Sequence, residues 1–358
     1  MDSAETDANR HLAAVPDEGR KLLRRRLTDQ PISRRTFSCL LAAFLVAAPR
    51  LAITQGSTVV RRIGALDPGM PDTPENLRMF AEPLRELGWV EGQNLRVERR
   101  YANGGAEALK PLAEELVRAK VELIVTLGTP ATIAAKRATT TIPIVFSAGD
   151  PVRFGLVASL ARPGGNVTGF SLAGPEVDAK SLSLLKDLMP TLRRIGVLES
   201  SANPYFRATR GEFEQACRLL GLAPVVVEIA AAGEIVDAIA QLARQHVQVV
   251  LLGGGLLYDN RFQIVEAARK QGLPIMVTDA APSLVQETGA LVSYTVSLAE
   301  AIRRRAYFID RILRGAKPAD LPVEQPTRFE LVINLKTARA LKLAIPQSLL
   351  QRADEVIQ

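Results

Sequence analysis

Cysteine, histidine and tryptophan are scarce in this chain of 358 residues, which holds two Cys, two His and one Trp. Cys39 and His11 both fall in the first fifty residues, so everything beyond them carries only Cys217 and His246. A disulfide within that part is impossible, and so is a cysteine-based metal site. A Ser-His-Asp triad of the usual kind, or a centre with several histidines, lacks its members. We therefore expect no metal, no cofactor and no catalytic set, and do not read the chain as an enzyme. Cys217 sits in a helical pattern and reads as a small buried apolar residue. His246 precedes the apolar run Val247–Leu252 at a helix-to-strand junction and reads as a surface or capping residue.

Strong charge of one sign is also missing. The formal net charge is +7, but residues 1–50 hold nine Lys/Arg against six Asp/Glu, leaving 36 against 32 for the rest. No basic stripe with interleaved aromatics appears, which argues against a nucleic-acid partner. Apolar residues make up 47 % of the chain, enough for real cores in a chain whose length suits two domains.

Long apolar runs are absent as well. The longest near the start, Cys39–Ala48, is half the roughly 20 residues that a spanning helix needs. A charged segment, a short apolar core and small residues beyond it are the parts of an export signal. Ser33-Arg34-Arg35-Thr36-Phe37 resembles the twin-arginine motif, with Ser38 in place of the usual leucine. We read residues 1–55 as a leader and twin-arginine-like signal, cleaved near 52–56, and expect the protein in the periplasm with the twin-arginine export machinery as a partner. The basic run 21–26 lies in that leader.

What the chain does contain is a repeat. RRIGAL at 61–66 is answered by RRIGVL at 193–198, RELGW at 85–89 by RLLGL at 218–222, and VELIVTLG at 121–128 by VQVVLLGG at 247–254. AAKRATTTIPIVF at 134–146 is answered by AARKQGLPIMV at 267–277, in the same order and at nearly the same offset. In each copy short β-branched runs alternate with helical stretches. The predicted strands are Arg61–Leu66, Leu95–Tyr101, Val121–Leu127 and Ile142–Phe146, then Arg194–Leu198, Pro224–Ile229, Val247–Leu252 and Pro274–Val277. Leu109, Leu112, Leu116 and Val117 predict one apolar helix face. Strands that are apolar throughout and alternate with helices predict parallel sheets covered on both sides. The expected fold is α/β, two doubly wound lobes.

A ligand is then expected beyond the carboxyl ends of the strands, where loops of the two lobes face each other. Gly128-Thr129-Pro130 follows a strand and opens a helix, with Thr129 read as the cap and Pro130 as a first-turn residue; free N–H groups there suit a carboxylate. Asp150-Pro151 and Asp67-Pro68 repeat the arrangement with a negative group suited to an amine. A zwitterionic solute, carboxylate on Thr129 and ammonium on Asp150, would satisfy both. Helix or turn capping is the plain alternative for each. Gly254, in a tight turn beside the cleft, and Asp279 complete this set; no Lys-Ser/Thr follows Gly253-Gly254-Gly255, which excludes a P-loop.

Four stretches, LRELGWVEGQNLRVERRYANG (84–104), IPIVFSAGDPV (142–152), GLVASLARPGGNVTGFS (155–171) and DLPVEQPTRFELVINLKTARALKLAIPQSLLQRADEVI (320–357), resemble the ABC-transporter substrate-binding protein family that includes aromatic amino acid binders. The resemblance covers nearly all of 59–358. It implies two Rossmann-like lobes with a hinge and an interlobe cleft, the type I periplasmic-binding-protein architecture. It also implies a small polar solute, captured in the cleft and delivered to an ABC permease and its ATPase. On this basis residues 59–168 form an N-terminal lobe completed by parts of 290–358, residues 169–290 a C-terminal lobe, and 291–358 a crossover and C-terminal segment. Hinges are expected near Val167–Ser171, Ala290–Val296 and Pro322–Glu330. The resemblance carries over Gly128, Thr129, Pro130, Asp150, Ser293 and Tyr294 as site residues. Thr295 stands where the family usually has Gly, and Leu198-Glu199-Ser200 where many relatives have Leu-Trp-Asn. Glu199 facing the cleft would favour a cation or a hydroxyl-rich ligand over an aromatic one. Two rivals share such lobes: a doubly wound enzyme such as a glycosyltransferase, using Asp67, Asp150 and Asp279, and a ligand-sensing regulator core, which would need a helix-turn-helix ahead of it.

Overall fold

Two separate sheets divide the strands, and the chain passes between them three times. The computed structural model describes residues 59–67, 73–102, 106–172, 174–201, 203–252, 260–278 and 284–358. The segment 1–55 read as an export signal, Gly254 and Asp279 lie outside the described residues.

The first sheet has the order β2-β1-β3-β4-β5, with β1 Arg61–Asp67, β2 Leu95–Tyr101, β3 Leu123–Leu127, β4 Ile144–Ala148 and β5 Val167–Ser171, all parallel. The second runs β12-β11-β10-β9-β8-β6-β7, with β6 Arg194–Ser200, β7 Ala223–Ile229, β8 Val249–Leu252, β9 Ile275–Val277, β10 Val292–Val296, β11 Phe329–Asn334 and β12 Glu355–Ile357. Among the described residues only the β10–β11 pair is antiparallel. The order β7-β6-β8-β9-β10 reproduces β2-β1-β3-β4-β5 strand for strand, so the repeat is a duplicated topology. It extends to single residues. Lys120 and His246, one before each matching strand run, both take left-handed backbone, φ 54° and 55°. His246 is therefore a turn residue whose N–H donates to Ala243.

Helices cover both faces of each sheet. On the first sheet, α1 (Pro74–Glu86) lies on one face, and α2 (Leu109–Arg118) and α3 (Thr129–Ala138) on the other. Leu109 and Leu116 of the predicted apolar face are buried, joined by Ala113, while Leu112 and Val117 pack at its margin. On the second sheet, α4 (Pro175–Leu188) and α5 (Pro204–Leu219) cover one face. The other carries α6 (Ile235–Arg244), α7 (Arg261–Lys270) and α8 (Leu284–Thr288). The long helix α9 (Leu298–Leu313) follows β10 of the second sheet yet buries Ala306, Phe308, Ile309, Ile312 and Leu313 against Ile63, Val125 and Val145 of the first. The short α10 (Leu335–Ala340) and α11 (Gln347–Leu350) return to the second lobe, where Ala338 and Leu349 join its core.

The lobe limits are thus displaced by a few residues from those expected. β5 belongs wholly to the first sheet and β10 to the second, so the chain crosses just after Ser171 and just after Val296, beside the expected hinges near Val167–Ser171 and Ala290–Val296. The third crossing runs between Glu324, which bridges to Phe170, and Phe329. A strand hydrogen-bonded to a sheet neighbour along its length is a poor hinge.

Candidate functional site

Parallel strands place their carboxyl ends along one edge of each sheet. In the first lobe that edge carries Asp67, Gly128 and Gly149-Asp150. Gly128 adopts φ +80° and is itself the N-cap of α3, without a side-chain cap. Thr129 is consequently the first helical residue and not the cap, and Pro130 follows within the first turn. A non-glycine residue would be strained at Gly128, which explains why the cap lacks a side chain. The Gly128 N–H donates to the Ser147 carbonyl over 2.8 Å, and the buried Thr129 hydroxyl reaches the Gly149 carbonyl at 3.4 Å. These bonds bring the two predicted loops side by side.

Asp150 is differently engaged. It sits at φ +40°, and its carboxylate accepts from the Arg153 backbone N–H at 3.2 Å and from the Arg153 Nε at 2.7 Å. The cation expected from a ligand is supplied here by the chain's own arginine three residues on. Asp67 ends β1 half-buried, its carbonyl accepting from Ala102, within electrostatic reach of Arg305 on α9.

In the second lobe the same edge carries Glu199 and Ser200 on β6 and Ser293, Tyr294 and Thr295 on β10. Strand alternation separates them. Tyr294 stacks on Phe329 with centroids 5.4 Å apart and packs on the apolar core beneath α4 and α5; burial raises its hydroxyl pKa. Glu199 shares that face, in register with Glu228 of the neighbouring strand. Ser293 and Thr295 point to the other face, as do Leu198 and Ser200. Ser293 is in register with Val277, Leu252 and Leu198, so Thr295 and Ser200 lie one step beyond, at the carboxyl edge. The hydroxyls of Ser200, Ser293 and Thr295 are all buried, and each lacks a hydrogen-bond partner among the described residues. These three buried hydroxyls thus lie on one sheet face near one edge.

The loop after β4 and helix α5 close the arrangement. Arg153 donates from one terminal nitrogen to the Ala208 carbonyl (3.1 Å) and from the other to Glu212 (2.8 Å), both on α5 of the second lobe. Phe154 and Tyr205 meet beside them, ring centroids 6.5 Å apart. Sequence reasoning missed Arg153 and Glu212. The local spacing Asp150-x-x-Arg153 was readable, but a partner 59 residues away was not.

Among the described residues no group of three His, Cys, Asp or Glu side chains could hold a metal ion, and no helix is long and apolar enough to cross a membrane. The family model for ABC transporter substrate binding proteins matches residues 72–357. A tyrosine-binding protein of Clostridioides difficile (strain R20291) is 26% identical over 274 residues, 76% of this chain and 78% of that protein. Among solved structures, an ABC domain in complex with L-Trp from Streptococcus pneumonia superimposes with TM-score 0.74 at 25% identity, covering 83% of this chain and 100% of that one. A conserved domain protein from Vibrio cholerae gives TM-score 0.76 at 26% identity, covering 83% and 99%. The duplicated α/β lobes are those of type I periplasmic binding proteins. With a match over most of its length, the chain belongs to the ABC transporter substrate-binding protein family.

Proposed function

We propose that the protein is the periplasmic solute receptor of an ABC importer, that it captures an amino acid or a closely related zwitterion between its lobes, and that it acts without catalysis. The observation that carries this reading is the pairing of two unlike edges. One offers the start of α3, where the first-turn N–H groups have no partner within the helix and suit a carboxylate. The other offers the three orphaned hydroxyls of Ser200, Ser293 and Thr295. Relatives that bind tyrosine or L-Trp support the amino acid class. The ammonium role first given to Asp150 is weakened by its ion pair with Arg153; Asp67 is the remaining described acid at the first lobe's edge, and Gly254 and Asp279 stay candidates in the second. Glu199 in place of the relatives' tryptophan argues for a side chain more polar than indole.

Delivery would be to an ABC permease and its ATPase, and export would use the twin-arginine machinery through Arg34-Arg35. Calorimetric titration with L-tryptophan, L-tyrosine and small polar amino acids, alongside mass spectrometry of solute released on denaturation, tests the reading. Binding of one amino acid, weakened at least about tenfold by Ser293→Ala (about 1.4 kcal/mol), is expected. A released sugar and no heat with any amino acid would overturn it. Retention of the precursor in the cytoplasm when Arg34 and Arg35 are both changed to lysine tests the route of export.

A further inference from the structure

The Arg153 side chain joins opposite rims of the cleft, with a geometry that solute contacts do not require. Arg153 is anchored in its own lobe first. Asp150, held at φ +40°, accepts from both its backbone N–H and its Nε. The loop is braced from behind, where Lys136 of α3 donates to the carbonyls of Gly155 and Leu156. The guanidinium is therefore fixed in direction before it reaches across, and its two terminal nitrogens meet Ala208 and Glu212 of α5.

We propose that Arg153 is a positioning residue that latches the two lobes together and sets how long a bound solute is retained. This rests on the solute-receptor reading above. The magnitude argument favours it. Arg153 and Glu212 keep 34% and 43% side-chain exposure, and a pair so open to water contributes little to folding. An open and a closed arrangement of two lobes differ by only a few kcal/mol, however, so a contact made solely when closed acts in full on that balance. A preorganised arginine loses little side-chain freedom on forming the bond. Opening also strands nothing, because Arg153 keeps Asp150 and the exposed Glu212 returns to water. That is what a reversible latch needs. The Phe154–Tyr205 contact lies on the same seam.

The test uses the solute-free protein in a Cys217→Ala background, with spin labels at Lys110 on α2 and Leu219 on α5, both exposed. Distances between labels report the lobe arrangement. Glu212→Arg, a change at a solvated helix position, should raise the open-to-closed ratio by about two- to fivefold, the range of an exposed ion pair. About 1 M NaCl, with a screening length near 3 Å, should do the same to the unaltered protein but should not raise the ratio further in Glu212→Arg, where it screens a repulsion. Glu212→Gln should fall between the two. A distribution already at the long distance before any change, or one unmoved by both Glu212→Arg and salt, overturns the latch. Because no solute is present, that failure is separate from failure of the receptor reading, which calorimetry on the unaltered protein decides.

Discussion

The Trp89 indole N–H donates to Asp310 across 2.9 Å, tying the turn after α1 to the helix that returns from the other lobe. Arg314 completes the group: its Nε donates to the same Asp310 oxygen at 2.6 Å, its terminal nitrogen to the Leu87 carbonyl at 3.0 Å, and its guanidinium lies 5.6 Å from the Trp89 ring. Asp310 is buried, and these partners satisfy its carboxylate. Asp310→Ala should lower stability by about 1–3 kcal/mol, since it strands the indole N–H and removes a charged acceptor. Trp89→Phe should cost less than Asp310→Ala, because Arg314 still compensates the carboxylate. Denaturant unfolding with tryptophan fluorescence reports the first and circular dichroism the second.

Gly169 marks the tightest backbone approach in the first sheet. It sits at φ +153° in β5, where an added Cβ would meet the Phe146 carbonyl oxygen at 2.2 Å. Neither strand can yield, because β4 and β5 are paired along their length. Gly169→Ala should therefore destabilise by about 1–3 kcal/mol or more, by overpacking. Gly64→Ala makes the comparison: its Cβ meets only the flexible end of Leu116, at 2.9 Å, and should be tolerated better. Thermal melts of the two variants check the order.

Burial pushes the Cys217 thiol up to about 12, so it stays protonated and unreactive at neutral pH. Protein lacking the leader should titrate no thiol with an aromatic disulfide reagent when native and one thiol when unfolded. A fast-reacting native thiol would contradict the packing of α5.

Acid sensitivity should appear through Glu98. Its hydrogen bond from Arg62 holds the carboxyl below its usual value of 4.5, aided by the charges of Arg62 and Arg96 and opposed by burial. A pKa depressed on folding contributes stability that is present above the unfolded value and lost as pH falls through the folded one. Stability should thus decline below about pH 4.5, and Glu98→Gln should flatten that decline while costing about 1 kcal/mol or less at neutral pH. Urea midpoints across the pH range measure both.

Much of the architecture was legible because it is written in short-range pattern. Val121–Leu127 reads as a strand, and Leu123–Leu127 is one, since a short apolar run bounded by turn residues has few local solutions. The repeat of RRIGAL and RRIGVL announced two copies of one topology. Thr129 was misread as the cap because cap and first-turn residues differ by one position, and the left-handed backbone at Gly128 decides which is which.

Sequence periodicity and the repeat determined by themselves that this protein is a pair of α/β lobes built on mainly parallel sheets. Local backbone preference and apolar spacing suffice for that, because each element is specified within a dozen residues. Only the tertiary structure decided that α9 serves the first lobe, that Ser293 and Tyr294 part to opposite faces, and that Asp150 answers to Arg153. The physical reason is separation along the chain. Arg153 meets Glu212 at 2.8 Å across 59 residues, and Trp89 meets Asp310 across 221. No local pattern encodes such a meeting; it exists only once the sheets have fixed where each helix lies.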